Sequence, residues 1–453
     1  MAESGARGRR EAALNTDVVV IGAGASGLAA AAALARARRS ALVLEARDRI
    51  GGRVWSHPEP GLAVPVELGA EFIHGRAEIT FALLEKAGVA AVDCAGRSRG
   101  ERWTLREGKL EPSDDLFAEI RHALKRIPRL RKDIPFETFV QRHLAKEVSA
   151  EACAFARMRA QGYDAVDTKR ASAQALVEEW SGGGPEEMPQ FRPTGGYGSL
   201  LAHLVGGLRG SNVELQLNTV VEAVRWARGS VNVSGTFLGR PFEVRAKRAI
   251  VTLPVGVMQA PANAPGAVRF NPALAEKRDA LRHLAPGPVI KVCLRFRTAF
   301  WEKLHGGRYR NVAFFHARQA SFPTFWTALP VRTPLLVAWA GGPRGAALSG
   351  APKAKVVEHA LESLTALFGG RAKIEGELES AWMHDWQNDP YARGAYSYVT
   401  VGGGKAGETL AKPMRNTLFF AGEATDDEEE ATVAAALHSG ERAAREVLAS
   451  LRR

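Results

Sequence analysis

Apolar positions along the chain follow two rhythms. Residues 17–21 form a short β-branched run, 26–37 an alanine-rich stretch and 41–44 a second apolar run. That order predicts a strand, a helix and a strand, the beginning of a parallel sheet. From about 76 to 190 the spacing turns helical, notably in 79–87 and 116–124, and Ser113, Asp114 and Asp115 give the latter a cap and an acidic entry. This stretch is expected to be a mostly helical insertion. A loop signal at 181–185 and the turn residues Pro193, Gly195 and Gly196 close it, after which 213–217, 220–226, 231–237 and 242–253 read as strands returning to the first sheet. Runs at 289–296, 312–315, 324–329 and 335–340 predict a second sheet with a helix over 351–368 beside it. Residues 418–421 and 432–451 predict a last strand and a last helix. The chain carries no fixed-period repeat and no low-complexity linker.

A chain of 453 residues, 46% hydrophobic and 24% charged, has the balance of a globular protein too long for one ordinary core, so two domains are expected. Its formal charge of +12 raises nucleic acid as a partner. The basic residues are scattered, however, with no aromatic-interleaved or helix-borne stripe, and no nucleic-acid role is expected. Cys94, Cys153 and Cys293 are widely spaced and form no CxxC pattern. Neither a disulfide framework nor a metal site is indicated, which fits a reducing cytoplasm. Residues 1–15 read as a disordered basic arm without an export signal, and the longest apolar run, 18–34, is broken by Gly22, Gly24 and Gly27. No membrane span is expected.

The first chemical signal is Gly22-Ala23-Gly24-Ala25-Ser26-Gly27 between a predicted strand and helix. There the first glycine turns the chain, the second admits a pyrophosphate to the backbone, and the third lets helix pack on strand. A plain glycine-rich turn has the same letters. Glu45 ends the second predicted strand, where an acidic group accepts from a ribose hydroxyl, and this favours an adenosine dinucleotide. Directly behind it, Gly51-Gly52-Arg53 again offers close backbone approach and a planar guanidinium for phosphate oxygens. An NAD enzyme has no need of that second element, so the reading moves to FAD. The alternative is a surface turn.

With these two motifs stand Leu68 to Gly75, Pro193 to Tyr197, Ala249 to Pro254, Pro288 to Val292, Trp386 to Tyr398 and Phe419 to Ala424, in that order. On these segments the chain resembles the flavin-dependent amine oxidase family, which includes monoamine oxidases, polyamine oxidases and lysine-specific histone demethylases. The resemblance implies an α/β fold. A Rossmann-like FAD-binding domain (16–75, 194–268 and 382–453) would interleave with an α+β substrate-binding domain (76–193 and 269–381). It implies cofactor contacts from Ala25, Ser26, Ala46 and Arg47, from Gly69, Ala70, Glu71 and Phe72, and from Gly422, Thr432 and Val433. Arg53 with Gly52 would hold pyrophosphate and flavin, Val221 would meet adenine, and Glu423 the ribityl chain. A helix starting near Thr432 would aim its positive end at the flavin, besides closing the sheet.

By the same resemblance Lys291 holds a water beside the flavin, Tyr396 stands before the flavin ring and Trp386 lines the pocket. Read locally, Lys291 shares a face with Val289, Cys293 and Arg295 and is an ordinary solvated lysine, and the two aromatics are ordinary core. The substrate pocket would include Phe72, His74 and Thr432; a lone histidine is as often structural. Ala395 replaces the cysteine of covalently flavinylated relatives, so the FAD is expected to be non-covalent. Residues 426–430 form an acidic run that either attracts cationic amines or is a solvated loop. The implied activity is amine oxidation, with hydride transfer from the carbon α to nitrogen to flavin N5, imine hydrolysis, and reoxidation by O2 to H2O2. Two alternatives stay open: a same-fold desaturase acting on carbon–carbon bonds, and a flavin-bearing interaction protein.

Overall fold

The computed structural model describes residues 14–94, 102–182, 189–426 and 430–452. Most of the expected basic arm lies outside the described residues, and its last two positions already belong to the first strand, Leu14–Ile21.

The fold is mixed α/β, with a Rossmann-like sheet and a separate, mostly antiparallel one. In the first sheet the strands run Val213–Gln216, Ala41–Leu44, Leu14–Ile21, Arg240–Val251, Ser230–Phe237, Thr219–Ala227 and Arg269–Asn271, and Leu418–Phe420 also pairs with Arg240–Val251. The pairs around Leu14–Ile21 are parallel, with Val18 opposite both Ala41 and Arg248. All four residues of Ala41–Leu44 are buried, as a strand covered on both faces requires.

The helix Ala25–Arg36 is also buried nearly all round, because Val433–Leu451 packs on it from outside. The approach is close enough that a Cβ on Gly440 would stand 2.1 Å from the Ser26 carbonyl oxygen. Small residues at this crossing bring the last helix down onto the first.

The second sheet runs Leu378–Met383, Val289–Phe296, Leu335–Gly341, Thr324–Thr327, Phe314–His316, Arg102–Arg106 and Lys109–Pro112. Its last two strands correct the expectation of a mostly helical insertion. Glu107 and Gly108 take the left-handed conformations of a tight hairpin turn (φ 46° and 77°), and Arg102–Arg106 then pairs parallel to Phe314–His316. A further short strand, Ala91–Asp93, pairs with Gln190–Pro193, and the insertion is otherwise helical, in Glu78–Ala87, Leu116–Arg126, Phe136–Arg142, Ala150–Gly162 and Ala173–Ser181. The last four of these helices pack around Phe117, Phe136, Phe139 and Trp180, and Asp115, Ser149 and Ser172 cap three of them. Among the described residues no helix is long and apolar enough to cross a membrane.

Gly440→Ala is expected to destabilise the protein by about 1–3 kcal/mol, since the added methyl must force apart a pair of close-packed helices. Thermal melting checks this; an unchanged midpoint would mean that the last helix shifts without resistance.

Candidate active site

An elongated cavity is walled by both sheets and encloses about 1380 Å³, its open mouth included. Its lining runs from the glycine cradle to Lys291 and Tyr396, far apart in the chain. At one end stand Gly22, Gly24, Ala25 and Ser26, with Glu45 and Ala46 beside them. Gly22 and Gly51 are required by contact, whereas Gly24 leaves room on the cavity. A Cβ on Gly22 would lie 2.5 Å from Thr252 Oγ1, and one on Gly51 2.4 Å from the Val54 carbonyl oxygen. Gly27 does not line the cavity but sits beneath it, where a Cβ would meet the Gly22 carbonyl oxygen at 1.9 Å. Its absent side chain lets the helix start against the strand.

Glu45 is buried, and its two oxygens accept from the backbone N–H groups of Ala23 (2.8 Å) and Arg47 (3.0 Å). A carboxylate has acceptor capacity beyond these two bonds, so a ribose hydroxyl can still be received. Arg47 reaches Asp389 at 2.6 Å, and Asp389 also holds His384 at 2.8 Å. Val221 lines the same end, next to the register shift between Val221 and Ala223.

Midway, Gly51, Gly52 and Arg53 face the cavity. Arg53 Nη1 donates to the Ala395 carbonyl (2.9 Å) and to Glu423 (2.8 Å). The other Glu423 oxygen accepts from the Ser397 hydroxyl (2.7 Å) and N–H (3.2 Å). Gly422, Glu423, Thr432 and Val433 line this stretch, and the Thr432 hydroxyl caps the last helix by accepting from the Ala435 N–H. The positive end of that helix therefore opens on the cavity.

At the far end Gly69 and Ala70 meet Lys291, Trp386 and Tyr396. Lys291 is buried, at 3% exposure, not solvated as its local sequence reads. Its ammonium donates to the Gly69 carbonyl (3.2 Å) and to Glu71 Oε2 (2.6 Å). Trp386 Nε1 donates to the Leu68 carbonyl, and Tyr396 donates its hydroxyl to the Tyr163 carbonyl. Burial, with the Asp164 carboxylate adding to it, holds the Tyr396 phenol well above its usual range. Tyr396 stays neutral.

Three expected positions fall elsewhere. Glu71, Phe72 and His74 do not line the cavity: Glu71 points at Lys291 and Arg192, while Phe72 stacks with Arg192, Trp326 and His74. The chain bends at Leu68 and Gly69, leaving Gly69 and Ala70 on the cavity while Glu71 and Phe72 both turn to the side of Arg192 and Trp326. His74 is no hydrogen-bonded core histidine. Its buried Nδ1 has no hydrogen-bond partner among the described residues, its ring meets Tyr163 edge-on at 5.4 Å, and burial with Arg159 nearby pushes its pKa down to about 4.

Trp339 and Tyr391 also line the cavity and carried no signal in the sequence. Trp339 is set by register, opposite Lys291 in the second sheet, and its place depends on a pairing that no motif announces. In the acidic run, Asp426 is buried and paired with His438, while 427–429 lie outside the described residues. Asp426 is thus neither a solvated loop residue nor a cavity wall. Among the described residues no group of side chains could hold a metal ion.

Comparison with known proteins agrees with this geometry. Residues 25–448 match the profile of the flavin containing amine oxidoreductases. The chain is 28% identical to human lysine-specific histone demethylase 2 over 96% of its own length and 54% of that protein's. It is 28% identical to polyamine oxidase 3 of Oryza sativa subsp. japonica, over 94% and 88% of the two chains. It thus spans about half the length of the histone demethylase. Among solved structures, a putrescine oxidase bound to putrescine superposes with a TM-score of 0.77 at 21% identity, covering 97% of this chain and 100% of that one. The cyclohexylamine oxidase from Brevibacterium oxydans gives 0.78 at 19% identity with the same coverage.

One carboxyl behind the site titrates in an accessible range. Glu67 accepts from Ser56 (2.8 Å) and from the Tyr197 N–H (3.0 Å), and burial pushes it up to about 7, with Lys291 and Ser56 opposing and Glu71 adding to the rise. A folded value raised above the ordinary 4.5 means that this contribution to stability is complete below about pH 4.5 and is lost as the pH rises through about 7. Glutamine mimics the protonated acid. The melting temperature of Glu67→Gln relative to the native protein is therefore expected to climb between about pH 5 and pH 8; a difference independent of pH would place the ionisation elsewhere.

Proposed function

The chain belongs to the flavin-containing amine oxidoreductase family, and from that premise we propose that it binds FAD non-covalently and oxidises a small amine to an imine, with O2 as electron acceptor. The division into a dinucleotide-binding domain (16–75, 194–268 and 382–453) and a substrate-binding domain (76–193 and 269–381) belongs to this reading. The observation that carries it is that one cavity joins the glycine cradle and Glu45 to Lys291, Tyr396, Trp386 and Trp339.

The residues fit the cofactor. The cradle is open where a Cβ would fill it, Glu45 has spare acceptor capacity, and the last helix presents its positive end near Glu423. Ala395 in the wall supports non-covalent binding, since its methyl offers no nucleophile. When bound, FAD supplies the acceptor for a hydride from the carbon next to nitrogen and passes the electrons on to oxygen.

The chain's own residues do the rest. Trp339, Trp386 and Tyr396 offer aromatic faces that exclude water and orient an amine. Tyr396 is fixed by its hydroxyl bond to Tyr163. An ammonium has three donors, and Lys291 uses two on Gly69 and Glu71. The third N–H is left to hold a water at the cavity wall, where imine hydrolysis consumes one and where it stands available during flavin reoxidation. A carbon–carbon desaturase has no hydrolytic step to feed. Polyamines, putrescine and cyclohexylamine, which the relatives' names carry, are the substrates to try first.

Anaerobic mixing of the flavin-loaded protein with monoamines, diamines, polyamines and amino acids is expected to bleach the flavin with at least one amine. Bleaching by none of them would sink the proposal. Lys291→Met is expected to retain FAD yet reoxidise at least about tenfold more slowly after photoreduction, the loss of a hydrogen bond from a charged group. Stopped-flow mixing with oxygen reads this without needing the substrate, and a native rate would remove Lys291 from the chemistry.

A further inference from the structure

Glu71 is a junction of buried charge. Its Oε2 accepts from Lys291 Nζ at 2.6 Å, its Oε1 from Arg192 Nε at 2.7 Å, and the Trp326 indole N–H reaches both oxygens at 3.1 and 3.2 Å. Arg192 is itself anchored, donating to the carbonyls of Leu329 (2.9 Å) and Thr327 (3.1 Å) at the end of a strand of the second sheet. The backbone beside Glu71 is tied to the cradle instead. Ala70 N–H donates to the Arg53 carbonyl, and the Leu68 carbonyl accepts from Trp386. Both ends of the Glu71 contact are therefore rigid.

An ammonium is tetrahedral, so two fixed N–H directions determine the third. With one N–H of Lys291 on Gly69 and one on Glu71, the direction of the remaining donor follows. The carboxylate also stands between two buried cations, and without it Lys291 and Arg192 would face each other uncompensated.

We propose that Glu71, backed by Arg192, is the positioning residue of Lys291, setting where the ammonium points in the cavity and preserving its positive charge. This rests on the reading of Lys291 as the water-holding cation. Lys291 and Arg192 hold the Glu71 carboxyl below its usual range in spite of its burial, so it is a carboxylate at neutral pH. The other ionisable groups around it are Glu67, Cys94 and Cys293, and burial raises all three toward their neutral forms. Lys291 and Arg192 are accordingly the charges that Glu71 answers.

Two measurements on Glu71→Gln, Glu71→Asp and Lys291→Met test this. In the flavin-loaded proteins, photoreduction followed by oxygen mixing should give reoxidation about tenfold slower in Glu71→Gln, and about as slow in the Glu71→Gln/Lys291→Met double variant as in Lys291→Met alone. In the apoproteins, reductive methylation of Lys291 by formaldehyde, mapped by mass spectrometry across pH, should set in at lower pH in Glu71→Gln, because the lysine has lost its counter-charge. Glu71→Asp keeps the charge but shortens the reach. It should retain the native labelling profile while reoxidising more slowly, and it serves as the informative variant should Glu71→Gln not fold. Slow Lys291→Met with native reoxidation and labelling in Glu71→Gln would overturn the proposal and leave the reading of Lys291 standing. Native reoxidation in Lys291→Met would remove that reading, and this proposal with it.

Discussion

Gly69 is pressed so hard against the chain that a Cβ there would stand 1.9 Å from the Arg53 carbonyl oxygen. Much of the site depends on that contact. It brings the segment carrying Leu68, Ala70 and Glu71 onto the cradle that carries Arg53, and Arg53 in turn holds Glu423 and Ala395 from the C-terminal region of the chain. Lys291 reaches across from the second sheet to the Gly69 carbonyl. Three stretches far apart in sequence thus converge on one glycine, and a side chain at position 69 would push them apart.

The electrostatics follow from the same convergence. Charges on this wall stand beside opposite ones: Arg53 with Glu423, Arg47 with Asp389, and Glu71 between Lys291 and Arg192. Breaking a buried pair leaves an uncompensated charge and costs more than the pair itself contributes. These pairs are best understood as fixing geometry, since each joins a loop of the first sheet to an element that arrives later in the chain.

Much of this was legible in the sequence because it is local. The glycine cradle, Glu45, Gly51 to Arg53 and the strand and helix runs depend on neighbours within a few residues, and apart from the first strand, which starts three residues early, the runs lie within a residue or two of where the pattern puts them. What depended on pairing was hidden. The hairpin formed by Arg102–Arg106 and Lys109–Pro112 alternates Trp103 and Leu105 with polar residues before a Gly108 turn, but it is short and set between helical runs, and its sheet partner gives it its place. Lys291 looked solvated because its strand neighbours Cys293 and Arg295 share its face, yet the first is fully buried while the second reaches Glu59 and Glu379 at the rim. A face that runs from core to solvent along one strand cannot be read from composition. Which wall Phe72 and His74 join is hidden for the same reason, since a bend of one residue decides it.

The arrangement also bears on what the cavity can select. Its glycine end is bounded by Gly22 and Gly51, where a Cβ would clash, and carries Glu45, whereas the wall around Lys291 is made of Trp339, Trp386 and Tyr396. Hydrogen bonds discriminate by orders of magnitude because an unmet buried partner is costly, while apolar walls discriminate weakly, about 1–3 kcal/mol per methylene. On the function proposed above, the dinucleotide would be held more strictly than the amine. His74 lies outside this selection: its buried Nδ1, beside Tyr163 and unbonded among the described residues, stands behind the wall and not on the cavity.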